Sequence, residues 1–165
     1  MPEAFVAAGS NVRPRASLRQ ALASLRGEFP GLQASRAYAN AAVGFEGDDF
    51  INLVVRFPTE QPLPDLLDRL KSFEREGGRA PGAPKWGPRT LDLDLLMYGD
   101  HVGRFAGATL PHPDLATRAW VLGPLAEMAP GLAHPLLGET FGALWERFDR
   151  DAHRLVPVDL AGPGE

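Results

Sequence analysis

The strictest constraint in this chain is an alternation. Leu91-Asp92-Leu93-Asp94-Leu95 switches between leucine and aspartate residue by residue, with Leu96 following. A strand turns successive side chains to opposite faces. The run therefore reads as a strand with Leu91, Leu93 and Leu95 anchored in a core and both carboxylates together on the other face. Neighbouring carboxylates repel unless a cation lies between them. Hard oxygen ligands with open positions suit Mg²⁺, which keeps waters and takes further ligands from substrate phosphates. Arg89, just upstream, carries the planar fork that pairs phosphate oxygens. An isolated Asp-x-Asp also reads as two ordinary surface aspartates on a strand edge. The flanking Pro88-Arg89 and the upstream loop of glycines, prolines and Lys85 favour the metal reading. Residues 85–96 are thus expected to form the Mg²⁺-phosphate centre of an enzyme that acts on a nucleotide.

The remaining elements follow from periodicity. Residues 4–8 are a continuous apolar run stopped by Gly9-Ser10-Asn11, a buried strand and turn. Residues 15–28 place Leu18, Leu22 and Leu25 at helical spacing, with Pro14 suited to a first turn. A modest strand is expected over 32–38 and a loop over 39–49. Residues 50–57 form the best strand by β-branched and aromatic content. A second helix opens at Pro64-Asp65, carries Leu66, Leu67, Leu70 and Phe73 on one face, and stops at Gly77-Gly78. Residues 78–88 read as a long irregular loop, 91–98 as a strand, and roughly 114–128 and 139–148 as helices. The tail after His153 reads as an edge strand or a loosely held segment. This order predicts an α+β fold with a ferredoxin-like βαββαβ core, an antiparallel sheet with helices on one face, and extra C-terminal helices.

Bulk properties narrow the function classes. The chain has 165 residues, which fits a single domain over 1–165. It has no cysteine, so disulfides, thiolate metal sites and cysteine nucleophiles are excluded. The formal net charge of −4 argues against bulk nucleic-acid binding. A local cluster of Arg75, Arg79, Lys85, Arg89 and Arg104 still suits a small anionic ligand. Residues 1–6 have no basic n-region or long apolar run and no stretch is long enough to span a membrane, so no secretory leader and a cytoplasmic protein without a membrane partner are expected.

Trp86-Gly87-Pro88-Arg89-Thr90-Leu91-Asp92-Leu93-Asp94-Leu95-Leu96 resembles the signature of the 6-hydroxymethyl-7,8-dihydropterin pyrophosphokinases of folate biosynthesis. The resemblance extends over most of the chain. It takes in Ala8-Gly9-Ser10-Asn11, Phe50-Ile51-Asn52, Glu74 with Gly78-Arg79, Leu110-Pro111-His112, and Arg118 to Leu125. It implies transfer of pyrophosphate from ATP to the pterin hydroxymethyl group, with AMP released. Such a transfer needs positioning and charge neutralisation more than covalent help.

The resemblance also implies roles. Asp92 and Asp94 would hold two Mg²⁺ ions with ATP, and Arg79 and Arg89 would stabilise the migrating group. The 78–88 loop would close over the site with Arg79 and Trp86. The pterin would lie between Phe50 and Trp120, meet the Asn52 amide at its edge, and touch Ala41, Ala42, Val43 and Trp86. Phe50 and Trp120 read equally as core residues, whereas an amide at Asn52 among apolar neighbours needs a partner. ATP would be met by Glu74, Lys85, Thr109, His112 and Arg118. Outside the resemblance, Glu74, Lys85 and Arg118 read as solvated charges and His112 as a surface turn residue. A monomer is expected, with ATP and the dihydropterin as its partners and no nucleic acid.

Two departures stand out. Tyr38-Ala39-Asn40-Ala41-Ala42-Val43-Gly44 occupies the place of the family's Thr-Pro-Pro-x-Gly, and Pro81 stands where a second loop arginine is usual. A P-loop kinase is disfavoured, because the 77–83 run lacks the lysine and hydroxyl of that motif. The competing class is a non-enzymatic nucleotide-sensing module that keeps the aspartate pair.

Overall fold

The computed structural model describes residues 1–40, 50–77 and 91–162. Three long strands, β1 (Glu3–Ser10), β4 (Phe50–Pro58) and β5 (Asp92–Tyr98), make most of its sheet, and long buried stretches in each show that both faces are covered. Two short strands, β2 (Gln33–Ala34) and β3 (Ala37–Asn40), pair with β4, and β8 (Val156–Val158) pairs with β3. The sheet order is β5-β1-β4-β3-β8, and every pairing is antiparallel.

One face of this sheet carries Ala4, Val6, Ala8, Leu53, Val55, Phe57, Leu93 and Leu95. Helix α1 (Pro14–Glu28) packs on it through Leu18, Leu22 and Leu25, and helix α2 (Leu63–Glu76) through Leu63, Leu66, Leu70 and Phe73. The spacing of three and four in both helices makes one apolar stripe each. Phe29 stacks on Phe57 at 4.1 Å between ring centres in this core.

The helices are not confined to that face, as the strand–helix order had suggested. Phe5, Val54, Leu96 and Met97 make the opposite face apolar as well, and uncovered it would lie against water. Helix α3 (Ala119–Met128) and helix α4 (Phe141–Glu146) cover it with Val121, Leu122, Leu125, Phe141 and Leu144. Among the described residues no helix is long and apolar enough to cross a membrane.

Three further elements differ from expectation. The strand expected over 32–38 is split into β2 and β3, because Ser35 exchanges two bonds with Val54. Its N–H donates to Val54 O (2.8 Å), and its Oγ accepts from Val54 N (2.9 Å). The helix expected over 114–128 is a 3-10 turn, Pro113–Ala116, followed by α3. Arg118 between them is extended (φ −116°, ψ 122°). Between β5 and that turn a small ribbon, β6 (Gly103–Phe105) with β7 (Ala108–Leu110), was not foreseen. Three residues per strand are too few to leave a legible period.

Candidate functional site

The two faces of β5 separate its side chains as alternation requires. Leu91, Leu93 and Leu95 are buried in the core under α1 and α2. Asp92 and Asp94 are half-buried and line an open cavity of ≈ 770 Å³. Because β5 ends the sheet, the cavity reaches both sides of that strand. Its floor on the α3 side contains Ala7, Gly9, Phe50 and Asn52, and its wall on the α2 side contains Leu67, Leu70, Lys71 and Glu74.

Strand register builds the floor. Gly9 lies opposite Asp92 on one side and opposite Asn52 on the other, so the three form one row across the sheet. The approach is close: a Cβ on Gly9 would stand 2.6 Å from Asn52 Oδ1, so any larger residue there must displace the amide. Asn52 Nδ2 donates to Asn40 Oδ1, and Asn40 also lines the cavity. This pair fixes the direction of the Asn52 amide. Phe50 is half-buried at the same wall and belongs to neither core.

The roof comes from the segment after β7. The Leu110–Pro111 peptide is cis. His112 then donates its backbone N–H to Leu96 O (2.8 Å) on the outer side of β5, while its Nδ1 accepts from Asp114 N (3.1 Å). Arg118 lies 3.8 Å from Asp114, and its guanidinium stands 5.5 Å from the centre of the Trp120 ring. Thr109, His112, Arg118 and Trp120 all line the cavity. Trp120 is half-buried against the second core, so it is both packing and cavity wall.

Glu74 behaves differently from a solvated helix charge. It is 8% exposed, and its Oε2 accepts the Leu93 backbone N–H at 2.8 Å. It borders the cavity with its carboxylate turned to the edge of β5.

All nine candidate residues within the described segments therefore border one space: Phe50, Asn52, Glu74, Asp92, Asp94, Thr109, His112, Arg118 and Trp120. Ala41, Ala42, Val43, Arg79, Lys85, Trp86 and Arg89 lie outside the described residues. Sequence reasoning missed Asn40, Lys71 and Asp114 as wall residues. Lys71 was accessible from spacing, since it follows Leu67 by four and precedes Glu74 by three on one helix face. Asn40 had no such signal, because its partner Asn52 is distant in sequence.

The donor chemistry fits a hard divalent cation. Among the described residues no group of three or more His, Cys, Asp or Glu side chains is placed to hold a metal. Two carboxylates on one face leave most of an octahedron to water and phosphate oxygens, which is how Mg²⁺ is held beside a nucleotide.

Comparison with known proteins gives a consistent picture. The model of the 7,8-dihydro-6-hydroxymethylpterin-pyrophosphokinase (HPPK) family matches residues 5–130. A 2-amino-4-hydroxy-6-hydroxymethyldihydropteridine pyrophosphokinase of Synechocystis is 39% identical over 150 residues, covering 88% of this chain and 76% of that protein. The Aquifex aeolicus protein of the same name is 36% identical, covering 82% of this chain and 86% of its own. Among solved structures, an HPPK-DHPS in complex with substrates superposes with a TM-score of 0.68 at 13% identity, over 92% of this chain and 44% of that one. Wild-type HPPK-DHPS of Plasmodium falciparum gives 0.67 at 15% identity, over 88% of this chain and 41% of that one. This chain spans less than half of the length of those chains, and at such identity they establish a shared mixed α/β fold only.

Proposed function

The chain belongs to the 7,8-dihydro-6-hydroxymethylpterin-pyrophosphokinase family, and we propose that its cavity carries out the family's reaction in two halves that meet at Asp92 and Asp94. The reaction transfers pyrophosphate from ATP to 6-hydroxymethyl-7,8-dihydropterin in folate biosynthesis. The hydroxymethyl oxygen bonds to the β-phosphorus and loses its proton to solvent, the bond from that phosphorus to the α–β bridging oxygen breaks, and AMP leaves.

The floor is the pterin half. Phe50 and Trp120 offer ring faces to a flat heterocycle, and the Asn52 amide, oriented by Asn40, offers polar atoms to its edge. Thr109, His112 and Arg118 form the nucleotide half. Asp92 and Asp94 would hold Mg²⁺, two ions in our reading, whose chemistry is to neutralise the triphosphate as its charge shifts. Arg79 and Arg89 are assigned to the migrating group, Lys85 to phosphate, and Ala41, Ala42, Val43 and Trp86 to the pterin. We read the strand order β5-β1-β4-β3 as the ferredoxin-like plan and residues 1–165 as one domain.

The single observation behind this reading is the convergence of nine candidate residues from five separated stretches of chain on one cavity. Its test is direct. Purified protein with Mg-ATP and the dihydropterin is expected to form AMP and the pterin diphosphate in equal amounts, followed by phosphorus NMR. AMP that forms equally well without pterin, or not at all, would falsify it.

A further inference from the structure

An edge strand exposes a row of backbone groups that need partners. Leu93, between the two aspartates, sends its N–H to the buried carboxylate of Glu74 at 2.8 Å. Three residues further along, α2 meets the strand entrance again. A Cβ on Gly77 would stand 2.7 Å from Leu91 Cβ, so helix end and strand start are in direct contact. Gly77 has φ −78°, and close packing rather than a left-handed turn is what demands a glycine there. The end of α2 thus grips β5 at Leu91 and at Leu93, on either side of Asp92.

We propose that Glu74 is a positioning residue for the carboxylate pair: by holding the Leu93 amide it sets the place of Asp92 and Asp94 above the floor formed by Gly9 and Asn52. The inference rests on Asp92 and Asp94 being the cation ligands. A shift of the strand backbone carries both carboxylates with it, because their side chains branch from residues adjoining Leu93. What the role requires of residue 74 is an oxygen acceptor at the right reach. Glutamine supplies one, leucine supplies none, and aspartate keeps the charge but falls one methylene short.

Two measurements on Glu74→Gln, Glu74→Leu and Glu74→Asp decide it. The first is amide exchange at Leu93 by NMR, which reports the bond itself. The second is Mn²⁺ affinity in the presence of a non-hydrolysable ATP analogue, which needs no turnover. Glu74→Leu and Glu74→Asp are expected to expose the Leu93 amide and weaken Mn²⁺ binding about tenfold or more, the usual consequence of losing a group that orients metal ligands. Glu74→Gln is expected to keep the amide protected and recover most of that affinity. In turnover, the two damaging variants lower kcat and raise the Mg²⁺ requirement, with the pterin KM little changed. If the amide is exposed and Mn²⁺ affinity holds, the proposal is wrong. It is equally wrong if Glu74→Gln keeps the amide protected but binds Mn²⁺ as weakly as Glu74→Leu, since the charge would then act directly. Glu74→Asp serves alone should Glu74→Leu not fold. Absence of pterin-dependent AMP in the unaltered protein defeats the pyrophosphokinase reading separately, because the Mn²⁺ comparison does not depend on it.

Discussion

Asn52 and Gly9 face each other across the β4–β1 ladder so closely that a methyl group on Gly9 would lie 2.6 Å from Asn52 Oδ1. The Asn52 amide therefore lies over bare backbone on one side and is tied to Asn40 on the other. This arrangement explains how an amide survives among Ile51, Leu53 and Val54, which are all buried.

Gly9→Ala is expected to push the Asn52 side chain away, at an overpacking cost of about 1–3 kcal/mol. The pterin KM should rise while the ATP KM changes little. Steady-state kinetics with each substrate varied in turn checks this. An equal rise in both constants would point to general damage to the sheet.

Asp92→Asn and Asp94→Asn each leave the strand pattern intact and remove one charge. Turnover should fall by about 10²–10³, the range for losing one electrostatic stabiliser of a developing charge. The fold should not suffer, because two like charges no longer adjoin. Thermal unfolding beside AMP formation tests both halves of the statement; undiminished turnover in Asp94→Asn would remove that residue from the metal site.

Trp120→Ala removes a ring that lines the cavity and packs on the second core. We expect about a tenfold loss of pterin affinity, equivalent to about 1.4 kcal/mol, together with some loss of stability. Trp120→Phe should recover most of the affinity, because a ring face is what stacking needs. Fluorescence titration with the pterin in both variants separates stacking from packing.

His134 provides a pH prediction away from the site. It is 5% exposed, and its Nδ1 accepts from the N–H groups of Leu136 (3.1 Å) and Leu137 (3.1 Å). Burial holds its pKa below the ordinary histidine value. The unfolded chain therefore binds the proton more readily, so this contribution to stability is complete above about pH 6.5 and is lost as pH falls toward the folded-state pKa. Melting temperatures between pH 8 and pH 5 should fall more for the unaltered protein than for His134→Asn. Parallel curves would show that the ring carries no linkage.

What the sequence shows of this fold depends on how far apart along the chain the interacting residues lie. That Asp92 and Asp94 share a face was decided by the sequence itself, because period-2 geometry acts between residues two apart. The apolar stripes of α1 and α2 were equally local, at three and four residues. The family signature, a contiguous string, named the chemistry before any fold was known. What only the tertiary structure decided involves residues far apart in the chain or elements too short for a period. The split of residues 33–40 depends on Ser35 meeting Val54. The second core depends on an apolar sheet face attracting α3 and α4 from the far end of the chain. Glu74 carries the point furthest: its local setting on a helix reads as a solvated charge. Only when β5 comes to lie beside α2, with no neighbouring strand on that side among the described residues, does a buried carboxylate become the group the Leu93 amide needs.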